Sequence, residues 1–225
     1  MDYWEQKIAS MRMKSLFLIS FCLLGIACSE PSPSQIPFYN EADFTPYFLT
    51  EVAAEKQITH RISSFEFYNQ DSSLVKSSSL DGKIYVANFI FTTCNNICPD
   101  MISQMKRIEK AFLGNSQVAY LSFSVTPWID DVKTLKKYSE LNQIYSPQWS
   151  LLTGDKEAIY TLARKSFFAE ESIGFTKDSN EFLHTEHFIL VDQKGRIRGI
   201  YNGTLPLDAD QCIEDIRALL AEKES

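Results

Sequence analysis

The chain has 225 residues, 44% hydrophobic and 23% charged, a globular balance long enough to bury one sizeable core. Glycine and proline number 8 each, which excludes a collagenous or broadly disordered chain. The net charge of −7 carries no basic footprint, which argues against DNA or RNA as a partner and leaves a cation or a basic protein patch open.

Arg12 and Lys14 precede the apolar run SLFLISFCLLGIA, residues 15–27, in the layout of a signal peptide. The run is short for a membrane span. The preceding MDYWEQKIAS carries two acids, a poor basic flank, so Met11 or Met13 is a candidate start. The run closes on LLGIAC, where the small Ala27 precedes Cys28. This resembles a bacterial lipoprotein lipobox, with Gly25 in the place of the usual aliphatic, and implies that Cys28 becomes the lipidated N-terminus. SEPSPSQIP follows, rich in serine and proline as an extended tether would be. The expected organisation is a signal peptide over 1–27, a lipidated cysteine and flexible linker over 28–40, and one domain over 41–225. That domain would be exported and held at a membrane, in the periplasm or another extracytoplasmic space.

Within the domain, HRISSFEFYNQ alternates weakly through Ile62, Phe65 and Phe67, and SSSLDG reads as a turn. KIYVANFIF, residues 83–91, is nearly continuous in apolar and β-favouring residues, as a strand covered on both faces would be. After Pro99 the period becomes helical through Met101, Met105, Ile108 and Phe112, and Gly114 ends the run. The methionines lie on that apolar stripe and read as core rather than as metal ligands. QVAYLSFSV is a second buried strand, DDVKTLKKYSEL an amphipathic helix, QWSLLTGD a short strand and KEAIYTLARKSFFA a helix. HFILVDQKGRIRGIYNG reads as a hairpin turning at Gln193 to Gly195, and LDADQCIEDIRALLAE as a closing helix. The order β-α-β-α-β-α-β-β-α predicts an α/β layer fold with parallel strands and a terminal antiparallel hairpin.

The domain keeps three cysteines, Cys94, Cys98 and Cys212, too few for a disulfide-stapled scaffold. Cys94 and Cys98 fall at the carboxyl end of the strand over 83–91, where open α/β sheets place their sites. Pro99 suits the first turn of a helix, so Cys98 stands at or beside its N-cap, where the dipole should lower a thiol's pKa. Four-residue spacing lets both sulfurs face one point, which suits a disulfide or a shared metal ion. Soft thiolates select Cu(I), zinc or iron–sulfur clusters. A third ligand would complete a trigonal set, and the candidates are His60, His184 and His187. On an extended chain His184 and His187 point to opposite faces, so at most one of them can join the cysteines.

FIFTTCNNICPDM resembles the Cys-x-x-x-Cys-Pro signature of the Sco/SenC copper-protein family. LSFSVTPWIDDVKTLKKYSE, WSLLTGD and LHTEHFILVDQKG resemble further segments of that family, and the likeness covers most of residues 58–222. It implies a thioredoxin-like fold, a central mixed sheet with flanking helices and a C-terminal hairpin plus helix. The spacing to Gly195 fits His184 and not His187. The resemblance thus implies that Cys94, Cys98 and His184 bind one copper ion, Cu(I) or Cu(II). It further implies a membrane-tethered metallochaperone that delivers copper to the binuclear site of cytochrome c oxidase, with a thiol reductant protein as second partner. Two positions depart from the pattern: Leu183 stands where an acid usually precedes the histidine, and Thr126-Pro127 replaces an Asp-Pro turn, although Asp130 retains the later acid. Both bear on the tuning of the imidazole or on the partner surface.

The alternative is a thiol–disulfide oxidoreductase that reduces the acceptor's cysteines, for which a low-pKa thiol at a helix start is also suited. The spacer is longer than in Cys-x-x-Cys catalysts, and such a catalyst needs no His184. A peroxiredoxin-type peroxidase is excluded because Phe91 stands where its threonine should be. His60 is expected to be exposed, Cys212 to be an inert packed thiol, and His187 to be structural or a support to the site. Trp128 reads equally as a partner-facing residue or a lid on the core.

Overall fold

The computed structural model describes residues 36–169 and 185–222. The signal segment, Cys28, the linker as far as residue 35, and His184 lie outside the described residues.

Three buried parallel strands form the centre: β5 (Ile84–Ile90), β6 (Val118–Ser124) and β7 (Trp149–Thr153). Every residue of β5 and β6 is buried, which is why their sequences run apolar without alternation. β8 (His187–Val191) joins β5 antiparallel and returns as β9 (Ile197–Asn202). Gly195 takes φ +73° in the hairpin turn, a conformation glycine adopts without a Cβ penalty. Short antiparallel strands finish both edges: β1 (Phe38–Tyr39) and β2 (Pro46–Tyr47) beyond β9, and β3 (Glu66–Asn69) and β4 (Leu74–Lys76) beyond β7. Among the described residues the sheet order is β2-β1-β9-β8-β5-β6-β7-β3-β4.

Alternate residues of β5 feed two cores. Ile84, Val86 and Ile90 pack with Met101, Met105 and Ile108 of α2 (Cys98–Ala111) and Ile216 and Leu219 of α5 (Pro206–Glu222). Tyr85, Ala87 and Phe89 pack with Ile159, Leu162 and Ala163 of α4 (Lys156–Lys165). Both methionines are wholly buried, as the stripe predicted. α3 (Val132–Leu141) starts where Asp131 accepts the Thr134 N–H at 2.7 Å, and α4 where Asp155 accepts the Ala158 N–H at 2.8 Å. The sheet is mixed and helices cover both faces, as expected.

Two findings alter the expected layout. A short helix α1 (Glu51–Gln57), capped by Thr50, occupies a stretch in which no helix was expected. Residues 36–40, assigned to the linker, belong to the fold: Ile36 and Phe38 are 2% exposed and β1 pairs with β9. Arg198 explains this, because its guanidinium donates to the carbonyls of Ile36 and Pro37 at 3.0 and 3.1 Å and lies 3.9 Å from the Phe38 ring centroid.

Candidate metal centre

The corner between β5 and α2 carries the cysteine pair. Beyond Ile90 the Cys94 N–H donates to the Phe91 carbonyl at 3.1 Å, closing a turn that lifts Cys94 clear of the sheet. Cys94 is half-buried and Asn95 and Asn96 are exposed. Ile97 caps α2 with no side-chain hydrogen bond, Cys98 is the first helical residue, and Pro99 follows in the first turn. Cys98 is 2% exposed and belongs to the core that holds Met101. Both cysteines are free thiols.

The electrostatics reverse the expectation that the helix start would depress Cys98. Burial pushes the Cys98 thiol up to about 12, assisted by its hydrogen bond to Cys94. Burial also opposes ionisation of Cys94. There the Cys98 thiol and the N–H groups of Asn96, Cys98 and Ile97 donate to its sulfur and together outweigh burial, so its pKa falls below the ordinary thiol value. The physical reason is positional. The free N–H groups of a helix's first turn point back along the axis, within reach of a residue that precedes the helix and away from the side chain of its first member. The pair is thus asymmetric, with a half-exposed sulfur ready to ionise and a buried one that donates to it.

Two further groups border the pair. Asp130, wholly buried, accepts from the Thr92 N–H at 3.2 Å, from the Thr92 hydroxyl, from Ser124 at 2.6 Å and from Thr126 at 2.8 Å. The Tyr138 phenol is pushed up by burial and then by Cys98, Cys94 and Asp130, and it packs against the same core that holds Cys98. Tyr138 was not singled out from the sequence, whereas Asp130 was noted only as the acid that the family resemblance retains after Thr126-Pro127. The Thr-Pro-Trp-Ile-Asp stretch was the available signal for Asp130, since it brings an acid to the end of a strand beside the cysteine strand.

The histidines separate. His60 is half-buried rather than exposed, its Nε2 2.8 Å from the Ser166 carbonyl and its ring 4.3 Å from that of Phe168, so it serves the packing at the end of α4. His187 lies on β8 with its ring 5.9 Å from Phe44. His184 lies outside the described residues, and among the described residues no group of three His, Cys, Asp or Glu converges as a metal would require. Cys212 is wholly buried and its thiol is raised well above its ordinary value by burial, then by Asp215, as an inert packed thiol should be. Trp128 is 58% exposed, with the Lys156 ammonium 5.1 Å from its ring centroid, so it does not cover the core. Among the described residues no helix is long and apolar enough to cross a membrane.

Two soft sulfurs in contact, one open to the surface, suit a soft cation or a redox exchange. Comparison with known proteins narrows this. The SCO1/SenC family profile matches residues 53–221. A SCO1/SenC family lipoprotein from Bacillus anthracis str. Ames superposes with a TM-score of 0.62 at 29% identity, over 72% of this chain and 96% of its own. BsSco, a member of the Sco family of cytochrome c oxidase assembly proteins in which a disulfide switch has been identified, gives 0.60 at 33% identity, over 71% and 93%. ScoI of Bradyrhizobium japonicum, solved with copper bound, gives 0.55 at 24% identity, over 70% and 98%, and at that distance speaks for the fold alone.

Proposed function

Because the chain belongs to the SCO1/SenC family of thioredoxin-like proteins, we propose that it is a copper metallochaperone for the binuclear copper site of cytochrome c oxidase. Copper is its cargo, held by the sulfurs of Cys94 and Cys98 and an imidazole nitrogen of His184. One observation carries the reading: two free thiols meet at the end of β5, one buried and one half-exposed. Soft donors of that kind fit Cu(I), and a half-exposed sulfur lets an acceptor's ligand enter before the donor's ligand leaves. The family and the oxidase-assembly role of BsSco support this reading.

The support for His184 comes from the strand that follows it in the sequence. β5 and β8 are antiparallel with Ala87 opposite Ile189, so each step forward on β5 is a step back on β8. β8 therefore begins, at His187, from the end of the sheet where β5 finishes beside the cysteines, and His184 stands three residues earlier in the sequence. The lipobox-like LLGIAC supports attachment through Cys28, outside the cytoplasm, as does the lipoprotein relative.

The test is a titration of the reduced protein with Cu(I) against a competing chelator. One tight copper per chain is expected, with marked loss in Cys94→Ser and in His184→Ala. Equal affinity in the wild type and His184→Ala would remove the histidine from the site.

The asymmetry of the thiols favours a second reading, reduction of the acceptor's cysteines. Cys94 has the depressed pKa and access of an attacking thiol, and Cys98 is placed to resolve the mixed disulfide. The disulfide switch of BsSco is in keeping with this. Turnover of insulin disulfides that survives His184→Ala would favour reductase over chaperone.

A further inference from the structure

Asp130 is wholly buried, and among the described residues its partners are all neutral: the Thr92 N–H and hydroxyl, and the hydroxyls of Ser124 and Thr126. An ionised carboxylate taken from water costs several kcal/mol unless donors replace its hydration. Here four donors do so, from three separate places along the chain. Two come from one residue, Thr92, which is thereby fixed through both its backbone and its side chain. Thr92 lies two residues before Cys94, inside the turn closed by the Cys94 N–H and the Phe91 carbonyl.

The other end of the clamp is rigid. Ser124 ends β6, which runs in parallel register with β5 from Ile84↔Val118 to Ile90↔Ser124. The Thr126 N–H donates to Ser124 Oγ at 3.1 Å, and the Asp130 N–H donates back to the Thr126 carbonyl at 2.8 Å. Cys98 is held independently, buried on the first turn of α2. Of the two sulfurs, only the position of Cys94 depends on a loop, and that loop is tied to the sheet by Asp130.

We infer that Asp130 is a positioning residue for the thiol pair: its buried carboxylate clamps Thr92 to the end of β6 and so holds the Cys94 sulfur against Cys98. The inference rests on Cys94 and Cys98 being the working pair. With the loop fixed, each thiol meets the other at high effective concentration, which favours both their disulfide and a shared ion. A carboxylate is required because four donors converge on two oxygens. An amide would turn its own N–H groups toward them.

The test uses the full chain equilibrated in mixtures of oxidised and reduced dithiothreitol. Cys94 and Cys98 give up two electrons and two protons and form one S–S bond, while the cyclic disulfide of oxidised dithiothreitol takes them up and opens to the dithiol. Alkylation and peptide mass mapping count the free thiols and keep Cys212 separate. Asp130→Asn and Thr92→Val should each lower the equilibrium constant for the Cys94–Cys98 disulfide at least about tenfold, a rise of about 30 mV in reduction potential. Thr92→Ser keeps the hydroxyl and should stay within about twofold of the wild type. Ser166→Ala, which removes a buried hydroxyl bonded to Ser63 at the end of α4, should do the same. An unchanged constant in Thr92→Val, or an equal fall in Ser166→Ala, would overturn the inference. If Asp130→Asn fails to fold, the Thr92→Val and Thr92→Ser pair decides. A wild type whose thiols never pair would overturn the thiol-pair reading and this inference with it. A wild type that pairs normally beside unchanged variants would overturn the clamp alone.

Discussion

Cys98 is buried on the first turn of α2 and Cys94 half-exposed in the turn before it; burial raises the Cys98 pKa, and the interaction of the two thiols raises it further while lowering that of Cys94. The two cysteines should therefore differ sharply in reactivity. Near pH 8, iodoacetamide should alkylate Cys94 and leave Cys98 untouched, because only thiolate attacks and Cys98 keeps its proton to about 12. Peptide mapping after a short pulse checks this. Equal labelling of both residues in the folded protein would contradict the assignment.

The same values set how copper affinity should respond to pH. Once the ligating imidazole is neutral, binding still needs both thiols deprotonated, so below the Cys94 pKa each pH unit should raise the affinity for Cu(I) by about a hundredfold, two protons being displaced. Above that pKa and as far as about 12, only Cys98 still holds a proton, and the gain should fall to about tenfold per unit. Competition titrations from pH 6 to pH 10 would show the change of slope. A flat profile would mean that the sulfurs are not the ligands.

Met101 and Met105 are wholly buried between α2 and the sheet, a few residues from a site to which a thioether could be chemically suited. Their surroundings make them core. Met101→Leu should cost under about 1.5 kcal/mol and leave copper stoichiometry unchanged. Met101→Ala should cost about 2–5 kcal/mol through the cavity it opens. Denaturant melts give the stabilities, and a lost copper in the leucine variant would show that the sulfur is a ligand after all.

The long apolar strands were plain in the sequence because β5 and β6 are covered on both faces and need no alternation. The cysteine corner was equally plain, since Pro99 can only open a helix there. β1, β2 and β4 were not, because runs of two or three residues are too short to carry a period. The Cys98 pKa rises where the sequence predicts a fall, for a definite reason. A dipole argument uses the helix alone, whereas Cys98 is governed by the core it enters. The acid at Asp130 is visible in the sequence, but its tie to Thr92 is not, because its donors sit at residues 92, 124 and 126, which only the finished sheet brings together. His60 was misjudged for the same reason, its partner Ser166 lying far along the chain.

Glu51, the first residue of α1, meets Lys194 and Arg196 from the hairpin. Burial opposes its ionisation, but the hydrogen bonds and charges of Arg196 and Lys194 outweigh that and bring its pKa from 4.5 down to about 2. A depressed carboxyl contributes stability that is present above its unfolded value and is lost as pH falls through its folded one. Stability should therefore decline between about pH 4.5 and about 2, and Glu51→Gln should flatten that part of the profile. The side chain is 49% exposed, so screening should shrink the effect in high salt. Urea midpoints across this range provide the check, and identical profiles for variant and wild type would refute it.

Phe38 decides where the folded domain begins. Its ring is 2% exposed, with Arg198 and Arg196 guanidinium carbons 3.9 and 4.7 Å from its centroid. Those guanidiniums are themselves buried, 2% and 3% exposed, so the aromatic face and the Ile36 and Pro37 carbonyls help to replace their lost water. Removing the ring takes away buried apolar area and part of that compensation together. Phe38→Ala should cost about 3–5 kcal/mol, which in a domain of this size lowers Tm by roughly 10 °C. A chain that starts at residue 41 should lose at least as much, because Arg198 then loses both carbonyls as well, whereas one that starts at residue 36 should melt like the longer protein. Calorimetry on the two truncations separates these cases. If both melted at the same temperature, residues 36–40 would be tether, and the contacts of Arg198 with Ile36, Pro37 and Phe38 would add nothing to the fold.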